Sequence, residues 1–95
     1  MSETKPIIAI LGGGSFGTAI ANIAAESGVK TYLWMRSENT VNEIEKTREN
    51  SKYLPELTLH ENLIPTTSLQ DAISQATMIF FAIPGKSFRS VVESA

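Results

Sequence analysis

The stretch Ile10-Leu11-Gly12-Gly13-Gly14-Ser15-Phe16-Gly17-Thr18-Ala19 decides how the rest of the chain reads. It holds a Gly-x-Gly-x-x-Gly pattern at Gly12, Gly14 and Gly17. Three spaced glycines are a weak signal by themselves. Here they follow the apolar run Pro6-Ile7-Ile8-Ala9-Ile10-Leu11 and open a segment of helical periodicity, and that context makes them specific. Gly12 permits a tight turn out of a strand. Gly14 lets the backbone approach a diphosphate with no side chain between, and Gly17 lets the helix lie close to the strand. Unpaired amides at the start of such a helix, together with the positive end of its dipole, attract phosphate. Ser15 and Phe16 face a ligand across this turn. Ser15 offers a hydroxyl to phosphate, and Phe16 either covers the ligand or packs in the core at helical spacing.

Working outward, Lys30–Met35 and Thr77–Ile83 are two more strand-length runs, mostly β-branched or aromatic. The first and third runs are apolar nearly throughout, as in parallel strands covered on both faces. A helix is expected over Ser15–Ser27, with Phe16, Ala19, Ile20, Ile23 and Ala24 on its apolar face and Gly28 as the C′ residue that stops it. From Ser37 to about Arg48, Val41 and Ile44 mark a narrow stripe on a peripheral helix. Ser68 and Asp71 form a capping pattern ahead of Ala72, Ile73 and Ala76. A last helix opens near Ser87, with Phe88, Val91 and Val92 apolar. Between Glu49 and Thr67 the pattern is irregular, with Leu57–Leu59 as a short extended piece and a further short strand near Asn62–Thr66.

This alternation reads as α/β: a Rossmann-type parallel sheet with helices on both faces and right-handed crossovers. The chain ends at Val91-Val92-Glu93-Ser94-Ala95, inside a helix that has just begun. A doubly wound domain normally continues for several more elements. Residues 1–95 are therefore expected to be the partial N-terminal domain of a larger two-domain protein.

Composition narrows the function. Ninety-five residues make one small domain at most. A hydrophobic fraction of 42% with 19% charged residues suits a folded chain. The net charge of −2 argues against a nucleic-acid partner. With no cysteine, disulfide frameworks, thiol catalysis and Cys-ligated zinc are excluded, and a single histidine, His60, rules out a His-rich metal site. No apolar run reaches the ~20 residues of a membrane span. The start Met1-Ser2-Glu3-Thr4-Lys5-Pro6 lacks the pattern of a secretory signal, so the cytoplasm is the expected location. His60 reads as a loop histidine and Trp34 as core. Glu38, Glu43, Glu45 and Glu49, interleaved with Lys46 and Arg48, read as a solvated helix face.

The end of the second strand bears on the choice of dinucleotide. An NAD site places Asp or Glu there to bond the ribose hydroxyls. This chain has Met35-Arg36-Ser37. Arg36 suits bidentate pairing with the 2′-phosphate of NADP, which favours NADPH, with NAD also accepted; a solvated arginine is the alternative. Glu38 keeps NAD open, and Ser37 is either a further donor or a helix cap. The third strand runs out at Ala82-Ile83-Pro84-Gly85, where Pro84 would line a cleft beyond the strand ends. Lys86 reads as a solvated lysine.

Five segments together resemble the bacterial NAD(P)-dependent glycerol-3-phosphate dehydrogenases. They are Gly12–Ala19, Leu33-Trp34-Met35-Arg36, Glu49-Asn50-Ser51-Lys52-Tyr53-Leu54-Pro55, Leu59-His60-Glu61-Asn62-Leu63, and Ala82-Ile83-Pro84 followed by Phe88-Arg89. The Asn-x-x-Tyr-Leu-Pro piece at 50–55 discriminates better than the glycines, and the similarity covers nearly the whole chain. The resemblance implies the cofactor-binding part of a cytoplasmic enzyme that interconverts dihydroxyacetone phosphate and sn-glycerol 3-phosphate for phospholipid synthesis. The expected partners are the dinucleotide and, in a full-length enzyme, these two phosphates, with a homodimer as the assembly. Ser15, Phe16 and Arg36 match the family's dinucleotide contacts, and Tyr53 matches a position near the adenine end. Phe16 stands where the family often has Trp, and Gly85 where relatives often have Ser.

The family's catalytic lysines lie beyond Ala95, so no catalytic residue is expected here. The chain alone is expected to lack dehydrogenase activity and to bind dinucleotide weakly. An exposed apolar patch is expected where the rest of the enzyme docks. Two other readings remain: a different NAD(P) dehydrogenase, of the 3-hydroxyacyl-CoA or 6-phosphogluconate type, and a nucleotide-sensing module without catalysis.

Overall fold

A computed structural model of the chain describes residues 5–82. Its elements are β1 (Ile7–Leu11), α1 (Ser15–Glu26), β2 (Lys30–Trp34), α2 (Glu38–Thr47), β3 (Leu63–Thr66), α3 (Leu69–Ile73) and β4 (Met78–Phe81). The four strands form one sheet in the order β3-β2-β1-β4. Every neighbouring pair is parallel, with Ile7 opposite Lys30, Thr31 opposite Leu63 and Ile8 opposite Met78. The helix expected near Ser87, with Phe88, Val91 and Val92, lies outside the described residues, as do Pro84, Gly85 and Lys86.

Side chains alternate across a strand, so β1 feeds two cores. Ile10 joins Leu33, Leu63, Ala21, Ala25, Val41 and Ile44 on the face covered by α1 and α2. Ala9 and Leu11 join Trp34 and Ala72 on the face covered by α3. Trp34 is thus a core residue, as its place on the second strand suggested, and its indole N–H donates to the Thr67 carbonyl at 3.1 Å. The helix ends follow their sequence signals. Ser37 Oγ accepts from the Thr40 amide and Ser68 Oγ from the Asp71 amide. Gly28 takes a φ of +98° just past α1, where a side chain would be strained.

Three sequence expectations need correcting. The core face of α1 is Gly17, Thr18, Ala21, Asn22 and Ala25, while Phe16 and Ile23 are 64% and 66% exposed. Residues 17, 21 and 25 are one helical turn apart and small, because α1 lies too close to the sheet for large side chains. Ranking positions by hydrophobicity picked the neighbouring stripe. Secondly, β4 is not covered on both faces: Met78, Ile79, Phe80 and Phe81 are all exposed, and no described strand pairs with its outer edge. Phe16 reaches across to this strand, with its ring centroid 6.4 Å from that of Phe80. Thirdly, Leu57–Leu59 is no strand. Leu59 is buried by turning inward, its amide donating to the Arg48 carbonyl at 2.7 Å, while Leu57 stays exposed.

The short strand expected near Asn62–Thr66 is β3, and it accommodates Pro65. The Thr31 and Met35 amides of the β2 side donate to Asn62 and Thr66 carbonyls. The two-residue repeat then turns the Pro65 nitrogen toward the open edge, where no N–H is needed.

The irregular stretch 48–62 is strapped down by polar side chains. Arg48 caps α2 in the left-handed region at φ +60°. Its guanidinium donates to the carbonyls of Leu59, His60 and Leu63. Asn22 Oδ1 accepts the His60 amide at 2.8 Å, and Asn62 Nδ2 donates to the Ala25 carbonyl at 3.2 Å. His60 is a loop residue whose Nδ1 accepts from the Asn62 amide. Replacing Arg48 with Ala strands these carbonyls and is expected to lower stability by about 2 kcal/mol in chemical denaturation. Arg48→Lys recovers little of it, because an ammonium cannot fork to several carbonyls in a fixed plane.

Candidate functional site

In β3-β2-β1-β4 the crossovers run outward from β1 through α1 and α2, then return through α3 on the opposite face to place β4 beside β1. The reversal leaves a crevice beyond the carboxyl ends of β1 and β4, the place where open α/β sheets bind ligands. Gly12, Gly13 and Gly14 lie there, between β1 and α1.

Each glycine of this turn meets a different constraint. Gly12 has a φ of +127°, and its amide donates to the Trp34 carbonyl at 2.9 Å. A Cβ on Gly17 would overlap the Gly12 carbonyl oxygen and lie 3.3 Å from the Ala82 methyl. A Cβ on Gly13 would stand 2.6 Å from Cβ of Met35. A Cβ on Gly14 would meet no protein atom within 4 Å, and its φ of −74° suits any residue. Protein packing therefore explains glycine at 13 and 17 and leaves Gly14 unexplained.

Gly14 is the N-cap of α1 and supplies no side-chain hydrogen bond, whereas serines cap α2 and α3. The first amides of a helix have no partner inside it. At α1 no side-chain cap takes them. No acidic side chain sits in the first turn of α1 to compete for them.

A cleft of about 190 Å³ continues from the turn and is lined by Gly13, Gly14, Met35, Arg36, Ser37, Thr40 and Tyr53. Arg36 is exposed at the end of β2, its guanidinium 5.8 Å from the Trp34 ring centroid. Ser37 and Thr40 bond each other at 3.0 Å, so Ser37 is spent as a helix cap. Tyr53 forms the opposite wall. Its carbonyl accepts from Ser15 Oγ at 3.0 Å, which commits the Ser15 hydroxyl proton to the loop.

Of the sequence-derived candidates, Gly14, Arg36 and Tyr53 line this cleft. Ser15 is tied to the Tyr53 carbonyl beside it, and Gly12 and Gly17 are buried against each other. Phe16 is no core residue: it stands exposed one position into α1. Pro84 lies outside the described residues. Sequence reasoning passed over Gly13, Met35, Thr40 and the fully buried Asn50, whose part depends on a hydrogen bond 37 residues back along the chain. A larger hollow of about 610 Å³ sits at the amino ends of β1 and β2, lined by Lys5, Pro6, Ile7, Gly28, Lys30 and Asn62. It is at the wrong end of the strands for a helix N-terminus to contribute. Among the described residues no group of three or more His, Asp or Glu side chains comes together to hold a metal, and no helix is long and apolar enough to cross a membrane.

Comparison with known proteins agrees with this geometry. The chain is 46% identical over 95 residues to the glycerol-3-phosphate dehydrogenase [NAD(P)+] of Alcanivorax borkumensis, covering all of this chain and 28% of that protein. It is 46% identical over 91 residues to the Acinetobacter baumannii enzyme of the same name, covering 96% of this chain and 26% of that one. The crystal structure of glycerol-3-phosphate dehydrogenase from Coxiella burnetii superposes with a TM-score of 0.89 at 34% identity, covering 95% of this chain and 28% of that one. The Saccharomyces cerevisiae enzyme superposes with a TM-score of 0.88 at 25% identity, covering 96% and 30%. The chain thus spans little more than a quarter of the length of these relatives. Residues 7–95 match the family model of the NAD-dependent glycerol-3-phosphate dehydrogenase N-terminus, and with the glycine turn, the strand order and these relatives in agreement, the chain belongs to that family.

Proposed function

We propose that this chain is the dinucleotide-binding part of an NAD(P)-dependent sn-glycerol-3-phosphate dehydrogenase, with NADPH favoured over NADH. The observation that carries the reading is Gly14: a glycine that no neighbour requires, at the uncapped start of a helix facing the ligand crevice. In this reading the amides of the first turn of α1 hold the diphosphate, Gly14 keeps a side chain out of its way, and Gly12 and Gly17 let the helix start close behind the strand. Arg36 and Tyr53 flank the adenosine end, and Phe16 lies toward the other half of the cofactor. The bound dihydronicotinamide supplies hydride to the ketone carbon of dihydroxyacetone phosphate, giving sn-glycerol 3-phosphate for phospholipid synthesis.

The chain's own residues position the cofactor, and we place the proton donor and the cations that hold the substrate phosphate outside these 95 residues. The exposed β4 row and Phe16 are the surface on which we place the remainder of a full-length enzyme. A cytoplasmic homodimer is the assembly that fits the family and the absence of cysteine.

Two substitutions separate ligand binding from folding. Gly14→Ser adds a capping hydroxyl, so thermal stability stays within ~0.5 kcal/mol of the parent while NADPH affinity falls at least ~10-fold, because the new oxygen takes the amides that the diphosphate needs. Gly17→Ala does the reverse, costing roughly 2–3 kcal/mol of stability through overpacking against Gly12. Chemical-shift titration with NADPH and thermal melts read both. Unchanged affinity in Gly14→Ser removes the basis of the reading.

Arg36→Ala tests cofactor choice. NADPH affinity is expected to fall about 10-fold with the loss of a charge-assisted phosphate contact, while NADH affinity holds. Parallel titrations with the two cofactors decide it, and an equal fall for both takes Arg36 away from the 2′-phosphate.

A further inference from the structure

Asn50 is completely buried, yet it is polar and lies in an irregular segment. Its side-chain amide reaches the back of the glycine turn: Nδ2 donates to the Gly13 carbonyl at 3.2 Å and to Thr18 Oγ1 at 3.0 Å. Thr18 Oγ1 in turn donates to the same Gly13 carbonyl at 3.2 Å. The Gly13 carbonyl is thus held from behind by two donors, which fixes the direction of the peptide plane leading into Gly14. The backbone of Asn50 does a second job. Its carbonyl accepts from the Leu54 amide at 2.8 Å and the Tyr53 amide at 3.2 Å, closing the turn that presents Tyr53. The Ser15 hydroxyl then ties the Tyr53 carbonyl to the first residue of α1.

One residue therefore joins the two walls of the cleft. Packing alone does not account for it, since Oδ1 is buried without a protein partner, a cost that an apolar residue of similar size would avoid. What its contacts share is the ligand-facing geometry of Gly14 on one side and Tyr53 on the other.

The structure assigns to Asn50 the role of a positioning residue that sets the glycine turn and the Tyr53 turn at the spacing of an adenosine diphosphate. The assignment rests on the dinucleotide reading above. It makes Asn50 matter for ligands that span both walls and much less for ligands that touch one. Loss of general stability would weaken all of them alike.

The test uses the full chain with four probes, NADPH, ADP, inorganic pyrophosphate and adenosine, followed by amide chemical shifts, with thermal melts alongside. Asn50→Asp keeps the shape but turns the donor into an acceptor facing a carbonyl. NADPH and ADP affinities are expected to fall 10-fold or more, while pyrophosphate and adenosine change less than threefold. Thr18→Val, which removes one of the two donors to Gly13 and leaves Asn50 in place, is expected to show the same ranking with a smaller loss. It also serves if Asn50→Asp does not fold. Equal losses for all four probes, or none, overturn the positioning role while leaving the dinucleotide reading intact. Failure of the unsubstituted chain to respond to NADPH or ADP overturns both.

Discussion

The tightest fit at any described glycine is the approach of α1 to the end of β1 at Gly17. There is no room for a single methyl between that residue and the Gly12 carbonyl oxygen. This proximity lets the chain leave a parallel strand and enter a helix within three residues, so that the helix start points along the strand end. The rest of α1 follows from it. A helix so close to the sheet must show small residues to it, and it does so with Gly17, Ala21 and Ala25, one turn apart. Large apolar residues on the same helix are pushed to its flanks, where Phe16 meets Phe80. The open space at Gly14 and the exposed aromatic pair are consequences of one close contact.

The second layer of organisation is polar and comes from the irregular stretch between α2 and β3. Its residues spend their side chains on backbone groups far away in sequence. Arg48 holds three carbonyls of the 59–63 segment, Asn22 and Asn62 tie that segment to α1, and Asn50 grips the glycine turn. A loop this long lacks a regular hydrogen-bond ladder, and buried backbone groups need partners. Side-chain amides and one guanidinium supply them. The stretch that most resists reading as secondary structure is thereby the one that binds the two walls of the cleft into a single piece.

Much of the fold was legible because it rests on local signals. The apolar runs at 6–11 and 30–35, the glycine spacing, Ser37 and Ser68 as caps and Gly28 as a stop all act within a few residues of where they stand, and each is in place. What was not legible depends on distance or on size. The buried face of α1 is chosen by smallness at a close contact, which a hydrophobicity pattern inverts. Coverage of β4 depends on what lies beside it, which its own composition cannot report. Arg48 looked like one more charge in a solvated series, and only its left-handed backbone, a feature of tertiary context, turns it inward. In the site, Gly12, Gly14, Gly17 and Arg36 announced themselves by position after a strand. Gly13, Thr40 and Asn50 did not, because a bond across 37 residues leaves no local trace.

The Ser15 hydroxyl shows how these two layers constrain chemistry. Read from sequence it is a phosphate donor, the obvious task for a hydroxyl at a helix start. In the fold its proton goes to the Tyr53 carbonyl, and so it works for the loop. In the proposed reading, anion binding at the turn then falls to main-chain amides. Amides are held rigidly by the helix, they do not titrate, and they lose no rotamer freedom on binding. A side chain would bring all three burdens. The Phe16 ring stands exposed beside the turn and is not one of its hydrogen-bonding groups. In the proposed reading, selectivity among dinucleotides falls to the periphery, where Arg36 stands exposed with its guanidinium over the Trp34 ring. On that reading affinity and preference are separated in space, and a change in one need not disturb the other.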